Sequence, residues 1–409
     1  MRNIYIFDEY TSSRKNGIGT YLQQLLCCLD TSDYNICLIV FNANTEEFSI
    51  VKEKNISKML FPPLKGNFLS QVKVIDKFLR LYIKDNPENI FFLNHSPCRD
   101  FIKSLRNIFP LSKIVFTIHD FGWTNPLMGN LKEFRNLVRN KSSYTDKNTK
   151  ENFIINYYEE EKEMYQLADR TICLSQDSYD VLRLIYRLEK DKISLIPNGL
   201  KKSGIVIKER NSEEVGNSLN IKHNEKILIT IGRPTRQKGI FDLIEAMKLV
   251  LKIKQNVRLV IIGDANEQSF RELINAASPL ASSITFTGLL DRKSIYKWIS
   301  IADLGIIPSY YEQFGFVGVE MMMLGLPIIA SDGLGLKNMF QNNVNARIAR
   351  IGNRKRKMEY RNNLANAILE LLDSPDLCDS LSFHSKKIYE EKYHIRYMKQ
   401  KYKELIQSL

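Results

Sequence analysis

The chain has 409 residues, too many for one ordinary core, and the length favours two domains. Its 44% hydrophobic and 26% charged content excludes a disordered chain, and no run nears the roughly 18–20 apolar residues of a membrane span. The formal charge of +13 is uneven: residues 1–200 hold 27 Lys/Arg against 24 Asp/Glu, leaving 32 against 22 for the rest.

The chain starts MRNIYIFDEY, a short strand with acids behind it and no basic leader, so a cytoplasmic protein is expected. Six cysteines (Cys27, Cys28, Cys37, Cys98, Cys173, Cys378) show no C-x-x-C spacing and read as buried free thiols in a reducing compartment.

Asn3–Phe7 is the first predicted strand. A polar loop carrying Gly17 and Gly19 follows, then the helix YLQQLLCCL and the strand NICLIVF, which together make a βαβ unit. Glycines at a strand-to-helix junction let a ligand approach the backbone, and a helix N-terminus favours anions. The stretch FLSQVKVIDKFLRLYIK has helical apolar spacing. Strands NIFFLNHS and KIVFTIHD then end in His95 and His119, at carboxyl ends where open α/β sheets gather ligands. His119 is the stronger candidate, being followed by Asp120, Gly122 and Trp123.

Residues 128–153 read as an irregular polar insertion, with KSSYTDKNTK a surface loop. The helix YYEEEKEMYQLAD and strand RTICLS follow, then a helix with Ser175 as N-cap, and strand KISLIPNGL closes the first half. Lys201–Asn220 reads as the linker. A second α/β series follows: ILITIGR, GIFDLIEAMKLVLK, VRLVIIGD, SFRELINAAS, ITFTGLL, SIYKWISIA and LGIIPS, then YYEQFGFVGVEMMMLGLPIIASD, a late strand NARIARIG and terminal helices. These elements predict two doubly wound domains facing one another across a cleft, at 1–200 and 201–387, with a C-terminal helix at about 388–409 that returns to the first.

Two constellations carry chemistry. In IGRPTRQKG, Arg233 and Lys238 flank a strand-to-helix turn and can converge on a diphosphate, Arg233 through two oxygens at once. In EQFGFVGVE, Glu312 and Glu320 bracket a helix start at Phe314 and Gly315; carboxylates accept bonds from sugar hydroxyls, and the helix start attracts phosphate.

Taken together, GRPTRQKG, EQFGFVGVE, the NGIG loop, the HD after a strand and the IPNG before the linker resemble the retaining glycosyltransferases of the GT-B fold, family 4 type. The resemblance runs in order from Asn16 to about Asp332. It implies a nucleotide-sugar donor, UDP- or GDP-linked, in the second domain. Arg233 and Lys238 would meet the diphosphate, Glu312 the sugar hydroxyls, Phe314 and Gly315 sugar and phosphate, and Glu320 the ribose. Gly288 and Leu289 would lie beside the base, His119 near the transferred sugar, and Gly17 and Gly19 near phosphate and acceptor.

Two departures stand out: Asn16-Gly17 where the family often has Gly-Gly, and Gln313 where small residues are frequent. No Asp-x-Asp motif occurs, so neither a metal nor another cofactor is expected. The acceptor would be a glycan, a lipid-linked intermediate or a peptide. A basic patch (Arg347, Arg350, Arg354, Lys355, Arg356, Lys357, Arg361) suits peripheral contact with an anionic membrane, and no nucleic-acid motif accompanies it. A GT-B epimerase or phosphorylase, or a non-catalytic partner subunit, is the alternative; the intact Arg233, Lys238, Glu312 and Glu320 weigh against the last.

Overall fold

The computed structural model describes residues 1–9, 17–53, 55–94, 99–144, 146, 148–202, 221 and 224–409, apart from the side chains of Glu9, Phe68 and Leu69. Asn16, His95, Cys98 and most of the expected linker fall outside those ranges. The chain divides into unit 1 (Met1–Asn198 with Ile395–Leu409) and unit 2 (Gly199–His394).

Unit 1 is built on an eight-stranded sheet in the order β3-β4-β2-β1-β5-β6-β7-β8. Its strands are β1 (Arg2–Glu9), β2 (Tyr34–Phe41), β3 (Ser49–Glu53), β4 (Ile56–Leu60), β5 (Asn89–Leu93), β6 (Lys113–Thr117), β7 (Arg170–Cys173) and β8 (Ile193–Leu195). The central strands have apolar middles because helices cover both faces: Ile4, Ile6, Ile90, Phe91, Phe92, Ile114 and Val115 are fully buried. All pairings are parallel except β3 with β4.

The helices of this unit are α1 (Gly17–Cys28), α2 (Phe68–Tyr82), α3 (Arg99–Ile108), α4 (Leu131–Arg139), α5 (Lys150–Leu167), α6 (Gln176–Leu184) and, after the whole of unit 2, α13 (Ile395–Ser408). Helix α13 is held by Met398, Tyr402, Leu405 and Ile406, all buried. Ser175 does cap α6, accepting from Ser178 N at 3.3 Å.

Three sequence expectations need correction here. Residues 128–153 are not an irregular insertion, because α4 occupies 131–139: Asn130 caps it, and Phe134 and Leu137, three apart, bury one face. Phe134 lies flat on Trp123, with ring centroids 4.3 Å apart and planes 6° apart. Second, β3, β4 and α3 had no counterpart in the sequence reading. SIVKE is a charged edge strand of mixed exposure, and charges of that kind blunt a sheet edge while diluting the apolar signal. Third, the thiols are not uniformly buried: Cys28, Cys37 and Cys173 are, but Cys27 is exposed on the same helix as Cys28.

Unit 2 carries a wholly parallel six-stranded sheet in the order β11-β10-β9-β12-β13-β14. The strands are β9 (Lys226–Ile231), β10 (Val257–Ile262), β11 (Ile284–Gly288), β12 (Leu304–Ile307), β13 (Ile328–Ser331) and β14 (Arg347–Ala349). Between and after them run α7 (Ile240–Ile253), α8 (Glu267–Ala277), α9 (Arg292–Ile301), α10 (Phe316–Leu324), α11 (Lys357–Leu372) and α12 (Pro375–Ile388). Helix α10, FVGVEMMML, is apolar apart from Glu320 and buried from Gly318 to Leu324, as a helix enclosed by its neighbours must be.

Because Phe134 is fully buried against Trp123, Phe134→Ala should cost about 3–5 kcal/mol. A thermal melt should show a clear fall in midpoint, whereas an unchanged melt would restore the reading of 128–153 as a surface insertion.

Candidate active site

The strand order of unit 2 places a topological switch between neighbours β9 and β12: the chain leaves β9 toward β10 on one side and β12 toward β13 on the other. Open α/β sheets bind ligands beyond the carboxyl ends of strands at such a point. The two segments lying there are 232–239, after β9, and 308–315, after β12.

These segments are knitted together. Tyr310 N donates to Gln237 O at 2.9 Å. Gly239 has φ +68°, and a Cβ there would fall 1.9 Å from Pro308 O, so any side chain would push the segments apart. Lys238 Nζ lies 2.6 Å from Glu312 Oε1, which also accepts from Ser309 Oγ at 2.8 Å. The cation of one motif and the carboxylate of the other are therefore a half-buried ion pair. Arg233 is exposed and makes no ion pair among the described residues.

Each segment ends in a helix whose start is a glycine in the left-handed conformation with no side-chain cap: Gly239 for α7 and Gly315 for α10. Uncapped first-turn N–H groups and the positive ends of two helix dipoles favour an anion. Phe314 is buried, its ring edge-on to Phe316 and Tyr393, so only its backbone can meet a ligand.

A third segment supports them. Glu312 N donates to Leu334 O at 3.0 Å, and a Cβ on Gly335 (φ +88°) would lie 1.8 Å from Glu312 O. Neither Ser309 nor Gly333–Gly335 figured among the sequence candidates. The glycine pair directly after β13 was the available signal.

Glu320 sits in α10, 7% exposed. Its Oε1 accepts from Tyr296 OH at 3.5 Å and lies 3.6 Å from Arg292 Nε, both on α9. Burial pushes its carboxyl up to about 7, with Arg292 and then Tyr296 pulling the other way. Gly288 ends β11 with φ +69°, and Leu289 beyond it is 45% exposed.

The remaining sequence candidates belong to unit 1. Gly17 and Gly19 lie in the first turn of α1; a Cβ on Gly17 would touch nothing within 4 Å, so steric room does not require glycine there. His119 follows β6, half-buried, with the Tyr21 ring edge-on at 4.6 Å. The turn after it is held by a buried carboxylate that did not figure among the sequence candidates. Glu161 accepts from Gly122 N at 2.7 Å and from the Tyr186 hydroxyl. Burial raises its carboxyl to about 7, against those two hydrogen bonds.

The basic patch does not act as one surface. Arg347 pairs with Glu370 at 2.8 Å, Arg361 with buried Asp242 at 2.9 Å, and Arg354 lies over the Tyr310 ring at 5.1 Å. Arg350, Lys355, Arg356 and Lys357 stay exposed. Among the described residues no group of three or more His, Cys, Asp or Glu could hold a metal ion.

Two family models cover most of the chain. Residues 15–202 match Glycosyltransferase Family 4 and residues 211–387 match Glycosyl transferases group 1. An uncharacterised glycosyltransferase of Methanocaldococcus jannaschii is 30% identical over 178 residues, covering 43% of this chain and 45% of that protein. Alpha-monoglucosyldiacylglycerol synthase of Streptococcus pneumoniae is 28% identical over 229 residues, 54% and 48% respectively. The matched region thus spans about half the length of these relatives. Among solved structures, sucrose-phosphate synthase from Thermosynechococcus elongatus superimposes with TM-score 0.75 at 18% identity over 100% and 99% of the chains. Anabaena HepE in complex with UDP and glucose superimposes with TM-score 0.71 at 16% identity over both chains entirely.

The two parallel-sheet units have the architecture of GT-B glycosyltransferases. With both family models matched in order, the chain belongs to the family 4 type of that class.

The raised Glu320 carboxyl has a consequence for stability. Its proton is held more tightly in the folded chain than in the unfolded one, where a glutamate titrates near about 4.3. The stability this contributes is fully present below that value and is lost as pH rises through about 7. Glu320→Gln, which cannot ionise, should therefore lose less thermal stability than the native chain between about pH 5 and pH 8. Parallel melting curves across that range would refute a carboxyl whose burial outweighs its contacts with Arg292 and Tyr296.

Proposed function

We propose that the chain transfers a sugar, with retention of anomeric configuration, from a UDP- or GDP-sugar bound by unit 2 to an acceptor hydroxyl. The observation that carries the reading is the Lys238–Glu312 pair, 2.6 Å apart at the switch point between two uncapped helix starts. Cations beside helix N-termini suit a diphosphate, and a carboxylate beside them suits sugar hydroxyls.

In this reading Lys238 and exposed Arg233 neutralise the charge that develops on the departing nucleoside diphosphate. Glu312 accepts from donor-sugar hydroxyls while Lys238 and Ser309 fix its orientation. Backbone N–H groups after Gly315 meet sugar and phosphate, and Gly288 with Leu289 flank the base. Glu320 is assigned to the ribose; its contacts with Arg292 and Tyr296 make α9 part of that subsite. His119, Gly17 and Gly19 serve the transferred sugar and the acceptor, an assignment that rests on the family resemblance.

The bond from the anomeric carbon to phosphate oxygen breaks as the acceptor oxygen bonds the same face, and the acceptor proton passes to the leaving phosphate. A double displacement would need a carboxylate against the anomeric carbon, and none is assigned there. With two cations on the diphosphate, no metal is required. The acceptor is a polysaccharide, glycolipid or other glycoconjugate intermediate met at the cytoplasmic face of a membrane, a setting supported by the exposed Arg350, Lys355, Arg356 and Lys357.

A hydrolysis screen over UDP- and GDP-sugars tests the donor without knowledge of the acceptor. One sugar nucleotide should be turned over in the presence of EDTA, releasing the nucleoside diphosphate and the sugar with its anomeric configuration kept. Lys238→Ala should lower that turnover about 10²–10³-fold. Undiminished turnover in the variant would sink the site assignment, and loss of activity in EDTA would sink its independence of metal. Binding to anionic vesicles at low salt should fall when Arg350, Lys355, Arg356 and Lys357 are all changed to Gln; absence of binding by the native chain would remove the membrane setting.

A further inference from the structure

Three hydroxyls meet in the interior of unit 1. Tyr21 OH, on α1, lies 2.7 Å from Tyr402 OH, on α13, and 3.1 Å from Thr117 Oγ1, the last residue of β6. All three residues are buried, with Tyr21 and Thr117 fully so. A buried hydroxyl without a partner costs about 1–3 kcal/mol, so this network is well fixed when all three are present. The Tyr21 ring that carries the central hydroxyl stands edge-on to His119, with centroids 4.6 Å apart at 68°. Tyr402 also lies 6.0 Å from the Phe92 ring of the central strand β5.

Tyr402 is 381 residues from Tyr21 along the chain. It arrives on a helix that joins unit 1 only after unit 2 is complete. A phenylalanine would fill the same apolar site, so packing alone does not ask for the hydroxyl. What the hydroxyl adds is a second anchor on Tyr21, whose first anchor is the end of the strand leading to His119.

We infer that Tyr402 is a positioning residue: its hydroxyl fixes the Tyr21 ring, and that ring sets the plane of the His119 imidazole. The C-terminal helix is thereby part of the apparatus of His119 although it touches no substrate. The effect on turnover rests on the proposed role of His119 near the transferred sugar; the effect on the imidazole does not.

The conservative variant Tyr402→Phe keeps the ring and removes only the hydroxyl, and Tyr21 keeps its bond to Thr117, so the fold should persist. The chain has five histidines, and ¹³C-histidine labelling, with His119→Gln for assignment, reads them one by one. In Tyr402→Phe the His119 ring signal should move while those of His384 and His394, in unit 2, stay in place. An unmoved His119 signal overturns the inference, as does a general shift of all five with a lowered melting point.

Turnover supplies the second arm. With the sugar nucleotide found by hydrolysis screening, Tyr402→Phe should lower kcat about three- to tenfold at unchanged donor KM. If His119→Gln keeps native turnover, the proposed role of His119 fails while the coupling seen in its ring signal stands. If His119→Gln is impaired, the His119 signal still shifts and Tyr402→Phe turns over like the native chain, the hydroxyl does not position His119 for the reaction, and that half of the inference falls.

Discussion

The crossing of two chain segments at the switch point of unit 2 is the constraint on which the site depends. A parallel sheet whose order reverses between β9 and β12 leaves a gap at its carboxyl edge. The chain fills that gap with its own backbone. Gly239 against Pro308 and Gly335 against Glu312 bring main chain within a distance that no Cβ would survive. Only then can a lysine from one segment meet a glutamate from the other at 2.6 Å.

That pair is only partly enclosed. Lys238 and Glu312 have side chains 26% and 15% exposed, too open for a deeply desolvated ion pair and too enclosed for a freely hydrated one. A ligand that offers oxyanions to the lysine and hydroxyls to the glutamate can replace the pair without leaving either charge unmet. The support beneath is more rigid: Tyr310 OH bonds Asp242 at 2.8 Å, Asp242 is paired with Arg361, and Tyr360 OH bonds Pro308 O at 2.7 Å. Cations that sequence alone assigned to a surface patch thus hold the floor of the site.

Much of this was legible in the sequence, for a definite reason. Buried parallel strands such as LVII in β10 and GII in β12 are uninterrupted apolar runs, and the turns after them are marked by glycine and proline. What failed were elements whose signal is diluted by charge. SIVKE in β3 has no fully buried residue, and LKEFRNLVR in α4 buries only Phe134 and Leu137, whose signal is diluted by five charged or amide residues in the same helix. Long-range partners were equally hidden. Glu161 sits in the run YYEEEKE, where nothing local separates a carboxylate bonded to Gly122 N from its solvent-facing neighbours.

Glu320 shows why a motif does not by itself define a role. Glu312 and Glu320 bracket one helix start in the sequence, yet their surroundings differ in kind. Glu312 lies before the helix, half-open, with a lysine and a serine hydroxyl on the same oxygen. Glu320 lies within the helix at 7% exposure, held by Arg292 and Tyr296 at 3.5–3.6 Å. Burial raises its carboxyl to about 7, so near neutral pH it is divided between an acceptor-only carboxylate and a protonated form that can also donate. A diol partner that donates two hydrogen bonds favours the ionised form, and its binding would draw the proton off. One glutamate, before the helix, is therefore paired with a lysine, and the other, within it, has a charge that responds to what it holds.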